Sequence, residues 1–137
     1  MSTPNFSGHW KLNVEKSRLE SPQPDSSIFL IEHGEPRFVL TRTHTFADRS
    51  DTVRVELTTD GVEHRQDFGA VRARMSLRWE GSDLFADMIV QTADDEGSNK
   101  VWYSLADGGK TLIVREEARS PKYRHDNLWV FDRIENS

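Results

Sequence analysis

Apolar and polar side chains alternate with a period of two along nearly the whole chain, and no stretch of ten or more residues keeps the 3.6-residue period of an amphipathic helix. The alternation predicts strands near residues 8–16, 27–33, 37–46, 52–59, 62–68, 71–80, 84–92, 99–106, 110–118 and 127–134. Turn chemistry separates them: His33-Gly34-Glu35-Pro36, Asp60-Gly61, Gly81-Ser82-Asp83, Asp94-Asp95-Glu96-Gly97-Ser98 and Asp107-Gly108-Gly109. At Phe68-Gly69-Ala70 the glycine reads either as a turn or as a bulge inside one long strand. Ser21-Pro22-Gln23-Pro24-Asp25 is an irregular connector, because its two prolines fit neither a ladder nor a helix interior. A meander this long closes into a barrel or folds into a sandwich.

Alternation also assigns faces. Val71, Ala73, Met75, Leu77 and Trp79 share one side, which turns inward, while Arg72, Arg74, Ser76 and Arg78 share the other. The three arginines could hold a phosphate, but outward charges paired with acidic neighbours are the usual furniture of a sheet exterior. By the same parity Phe38, Leu40, Met75, Trp79, Met88, Tyr103, Trp129 and Phe131 form the expected apolar wall of a lumen. Arg42 and His44 follow Phe38 and Leu40 on one parity, so they become two polar groups in that lumen that would orient a ligand. The opposite parity, with Val39, Thr41, Thr43 and Thr45 inside, puts them in solvent. A third outcome is a filled core with no cavity.

Composition narrows the class. With 137 residues, 35% of them hydrophobic and 30% charged, the chain matches one domain, spanning 1–137, with one face of its sheet in water. A net charge of -5 with interleaved signs leaves no basic field for nucleic acid. The absence of cysteine rules out disulfides, thiolate nucleophiles and Cys-ligated metals. The start, Met1-Ser2-Thr3-Pro4-Asn5, has neither part of a secretory leader, and no apolar run is of membrane-spanning length, so a cytoplasmic protein is expected from the chain as it stands.

Two motifs lie at the ends: Phe6-Ser7-Gly8-His9-Trp10 opens the first strand, and Trp129-Val130-Phe131-Asp132-Arg133-Ile134 closes the last. The pairing resembles the calycins, the superfamily of lipocalins and fatty-acid-binding proteins, and is most similar to bacterial lipocalin-like domains. The resemblance implies an all-β, antiparallel up-and-down barrel of about ten strands, with Gly8, Trp10 and Arg133 forming its closure and Arg133 covering the Trp10 ring. A guanidinium over an indole contributes about 0.5–2 kcal/mol. Two departures bear on function. Fatty-acid-binding proteins carry a helical lid between the first two strands, and residues 17–26 are too few to build one. They also clamp a carboxylate with Arg-x-Tyr on the last strand, where Trp129 and Phe131 stand here. The expected partner is therefore a small hydrophobic or aromatic ligand, with no cofactor.

Catalytic and metal chemistry leave weaker traces. His64 and Gln66 alternate with Val62 and Phe68, and a His44/His64 pair lacks any metal-ligand spacing. Ser104, Asp87 and Glu116-Glu117 read as surface or turn-proximal groups. Carriage of a small molecule in the lumen is the leading expectation. An isomerase or hydrolase with a lumenal acid or base at His44, Asp87 or His64 and a filled-core interaction module are the alternatives.

Overall fold

A computed structural model describes residues 4–134; the ends of the expected 1–137 span lie outside the described residues. Ten strands follow one another: β1 Gly8–Leu12, β2 Ser26–Gly34, β3 Arg37–Thr45, β4 Ser50–Thr58, β5 His64–Phe68, β6 Val71–Glu80, β7 Asp83–Gln91, β8 Glu96–Ala106, β9 Thr111–Arg119 and β10 Arg124–Ile134. They form one sheet in the order β4-β3-β2-β1-β10-β9-β8-β7-β6-β5, every neighbour antiparallel. The first strand pairs with the last, Trp10 opposite Arg133, so the meander curls back on itself. The fold is an antiparallel, nearly closed β-barrel.

Among the described residues, the one seam without a ladder lies between β4 and β5. Side chains bridge it: Gln66 Nε2 donates to Arg54 O at 2.9 Å, and Thr58 Oγ1 and His64 Nε2 are 3.0 Å apart. Edge backbone left free invites pairing with other chains, and the outward charges Arg54, Glu56, Arg65 and Asp67 discourage it.

Most strand boundaries fall within two residues of the alternation. Three do not: the end of β1 and the starts of β8 and β10, the last at Arg124, where it pairs with Arg119. β1 stops at Leu12 because Asn13 folds the chain into a turn, its carbonyl accepting Ser17 N–H at 3.1 Å and its Oδ1 accepting Lys16 N–H at 3.1 Å. β8 starts early, at Glu96, through residues that read as turn; Gly97 belongs in the strand because a Cβ there would sit 2.9 Å from Arg119 O. Gly69 makes a turn, with φ +69°, between β5 and β6.

At the closed end Trp10 has no exposed surface, and its Nε1 donates to Phe6 O at 3.1 Å. The Arg133 guanidinium lies 4.2 Å from the Trp10 ring centroid and donates to Ser7 O at 2.8 Å and Gly109 O at 3.0 Å. Gly8, at φ +149°, has no room for a side chain: a Cβ would collide with Arg133 Nη1. Residues 13–25 are not a helix but a strap. Arg18 bridges to Leu128, and Asn127 Oδ1 accepts the backbone N–H groups of Glu20 at 2.8 Å and Ser21 at 3.1 Å. No helix among the described residues is long and apolar enough to cross a membrane.

Candidate functional site

Ten strands enclose more than their side chains fill. The buried core includes Trp10, Phe131, Leu112, Phe38, Leu77 and Leu84. Among these side chains lies a cavity of about 90 Å³ that opens to solvent at one mouth. A single water needs about 10–15 Å³, so there is room for several waters or for a small aromatic molecule that extends into the mouth. The apolar wall is drawn from most of the barrel: Phe29, Phe38 and Leu40, Val53, Val55 and Leu57, Leu77, Ala86 and Met88, Val101, Val114 and Trp129.

Five polar side chains interrupt that wall: Arg42, His44, Asn99, Tyr103 and Glu116. Four of them, all but Tyr103, sit toward the end of the barrel capped by turns 46–49, 92–95 and 120–123. Glu116 is the hub. Its Oε1 accepts Asn127 Nδ2 at 2.9 Å and Trp129 Nε1 at 3.0 Å, and its Oε2 accepts Asn99 Nδ2 at 2.8 Å. The Trp129 indole held in this way stacks on the His44 ring, 5.3 Å between centroids and 17° between planes. Ser27 Oγ lies 2.7 Å from His44 Nδ1. Ser27 is wholly buried and is not in the cavity wall, so its hydroxyl orients the imidazole and is not placed to attack anything.

Burial lowers the His44 pKa to about 4; the neighbouring Arg42 charge adds to the effect, and Glu116 and Asp51 oppose it. The imidazole is neutral at pH 7. Burial likewise pushes the Tyr103 hydroxyl up, helped by the Glu116 charge and opposed by Arg42. Both groups are uncharged at neutral pH. Arg42 Nε and Asn99 Oδ1 are buried and have no hydrogen-bond partner among the described residues. Among the described residues no three metal-ligating side chains cluster.

Solved structures follow the same chain path. A SAHS (abundant heat soluble) protein of Ramazzottius varieornatus aligns at TM-score 0.64 and 10% identity over 96% of this chain and 98% of that one. The zebrafish ileal bile acid-binding protein complexed with cholic acid aligns at 0.59 and 13%, over 94% and 98%. A fatty acid transporter aligns at 0.56 and 10%, over 94% and 98%. The shared feature is the nearly closed antiparallel barrel. At such identities the likeness is one of fold. No protein-family model matches the chain, and no curated protein is significantly similar to it in sequence.

Within this barrel the residues expected from sequence fall into two groups. Phe38, Leu40, Arg42, His44, Met88, Tyr103 and Trp129 come together around the cavity. Met75, Trp79 and Phe131 do not line it. Met75 and Phe131 are buried in the core, Phe131 with its ring 4.3 Å from that of Phe29. Trp79 packs near Phe6 and His33, and its Nε1 donates to Glu35 Oε1 at 3.2 Å. Glu35 also accepts Thr59 Oγ1 at 2.6 Å and His33 Nε2–H at 2.7 Å. Burial pushes the Glu35 carboxyl up, but these donors outweigh it and hold it below the usual range.

Asp87 stands opposite Ser76 and Lys100, on the parity of the outward arginines, and His64 is spent on the seam. Sequence reasoning missed Asn99 and Glu116. The signal was there: Leu112, Val114 and Glu116 alternate, as do Asn99, Val101 and Tyr103.

Proposed function

We propose that this protein binds a small hydrophobic or aromatic molecule in the barrel lumen. The observation that carries the reading is an unfilled apolar cavity with a cluster of polar side chains in its wall, the usual anatomy of a small-molecule site. The ligand's ring lies against the aromatic surface of Trp129, Phe38 and Tyr103, and its polar group meets Arg42, with His44 and Tyr103 as neutral hydrogen-bonding groups. Structural neighbours that bind bile acid or carry fatty acid are in keeping with this use of the fold. Catalysis is the weaker reading, since an imidazole with a pKa near 4 is a poor base at neutral pH.

A titration with naphthalene tests the proposal. Saturable quenching of tryptophan emission is expected, lost in Trp129→Phe, together with a rise in melting temperature. At a hundred times Kd the stabilisation is about 2.7 kcal/mol. Ala86→Leu, which fills the cavity from a wall position, should abolish both responses. Absence of both in the wild-type protein would overturn the reading.

A further inference from the structure

Among the described residues, just two side-chain polar atoms are buried without a hydrogen-bond partner, Arg42 Nε and Asn99 Oδ1. Both residues line the lumenal cavity. One atom is an obligate donor and the other an obligate acceptor. The Asn99 amide cannot be turned over to relieve the mismatch, because its Nδ2 donates to Glu116 Oε2 at 2.8 Å and a flip would set oxygen against carboxylate. Glu116 does not partner Arg42 Nε in this structure: its two oxygens accept three other N–H donors. Unsatisfied buried groups are costly and are rarely kept without a use.

Charge decides what kind of molecule answers this pair. Arg42 and Glu116 share one cavity, so its fixed charges cancel, and they act in opposite directions on both His44 and Tyr103. An entering carboxylate would satisfy Arg42, but it offers no donor to Asn99 and brings a second negative charge to the space Glu116 lines. A neutral molecule carrying both a donor and an acceptor answers both atoms and has no net charge to desolvate.

We infer that the lumen selects an uncharged aromatic molecule bearing both a hydrogen-bond donor and an acceptor, of the class of aromatic carboxamides and lactams, over the corresponding carboxylate. The acceptor meets the Arg42 guanidinium and the donor meets Asn99 Oδ1, with the ring against Trp129. This inference rests on the proposed lumenal binding.

Three probes of one ring size separate the two ideas: naphthalene, 2-naphthamide and 2-naphthoate, titrated at pH 7 by calorimetry and tryptophan emission. Naphthalene reports the lumen itself, and its failure to bind overturns the proposed function. The amide should bind at least about tenfold tighter than the carboxylate, the discrimination expected when a site's polar atoms are left unpaired by the wrong ligand. Asn99→Leu should lower the amide-to-carboxylate affinity ratio about tenfold. A ratio below tenfold in the wild-type protein, with naphthalene bound, overturns the inference, as does an Asn99→Leu variant that keeps the ratio. Should that variant fail to fold, the wild-type ratio decides alone.

Discussion

Replacing Arg133 by methionine keeps an apolar cover over the Trp10 indole and removes everything the guanidinium does. The cation-π contact, 4.2 Å from the ring centroid, is worth about 0.5–2 kcal/mol. The two hydrogen bonds, to Ser7 O and Gly109 O, are charge-assisted, about 1.5–3 kcal/mol each where water cannot substitute. At this half-exposed barrel end water takes over part of that role, and a net loss of about 2–4 kcal/mol is expected. Gly8→Ala acts on the same contact from the other side. Its methyl displaces the guanidinium, and the residue keeps an unfavourable φ of +149°, costing about 1–3 kcal/mol on its own. In the Arg133→Met background only the backbone cost remains. A double-mutant cycle should therefore show about 1–2 kcal/mol of coupling. The assay is urea unfolding followed by the midpoint at constant m. Additivity of the two changes within about 0.5 kcal/mol would refute the closure argument.

Three further outcomes are expected. The folded His44 pKa of about 4 lies below its ordinary 6.5, so the unfolded chain binds a proton that the folded one refuses, and stability falls as pH drops from 6.5 to 4. After solvent screening the contribution is about 1–2 kcal/mol; it should be absent from the pH dependence of unfolding in His44→Gln, and an unchanged slope there would count against it. Gly97→Ala places a methyl 2.9 Å from Arg119 O, and calorimetry should show a loss of about 1–3 kcal/mol, whereas an unchanged melting temperature would mean the β8–β9 approach is looser than described. Asn127→Ala breaks the amide's bonds to Glu20, Ser21 and Glu116, so hydrogen exchange at the Glu20 and Ser21 amides should quicken by about tenfold or more while β6 and β7 are unaffected.

The lumen wall was partly legible in the chain because side-chain direction in a strand has a period of two. Arg42 and His44 could be placed beside Phe38 and Leu40 from that period alone. Depth along the barrel was not legible: Met75, Trp79 and Phe131 have the inward parity, yet they lie outside the cavity wall, while Arg42 and His44 lie in it. Parity says in or out, never how far down. Glu116 was hidden by its type, since a carboxylate is read as exposed until its partners are known, and those partners come from β8 and β10.

The sequence by itself determined the number of strands, most of their limits, the inward face and the two ends that close the barrel, because each of these depends on neighbours within a few residues or on glycine, tryptophan and arginine at fixed places. Only the tertiary structure decided that a cavity survives, that β4 and β5 are left unpaired, and that the unpartnered Arg42 Nε and Asn99 Oδ1 share one space. Those features depend on how ten staggered strands curl past one another, and a distance across the barrel is not written in any local spacing.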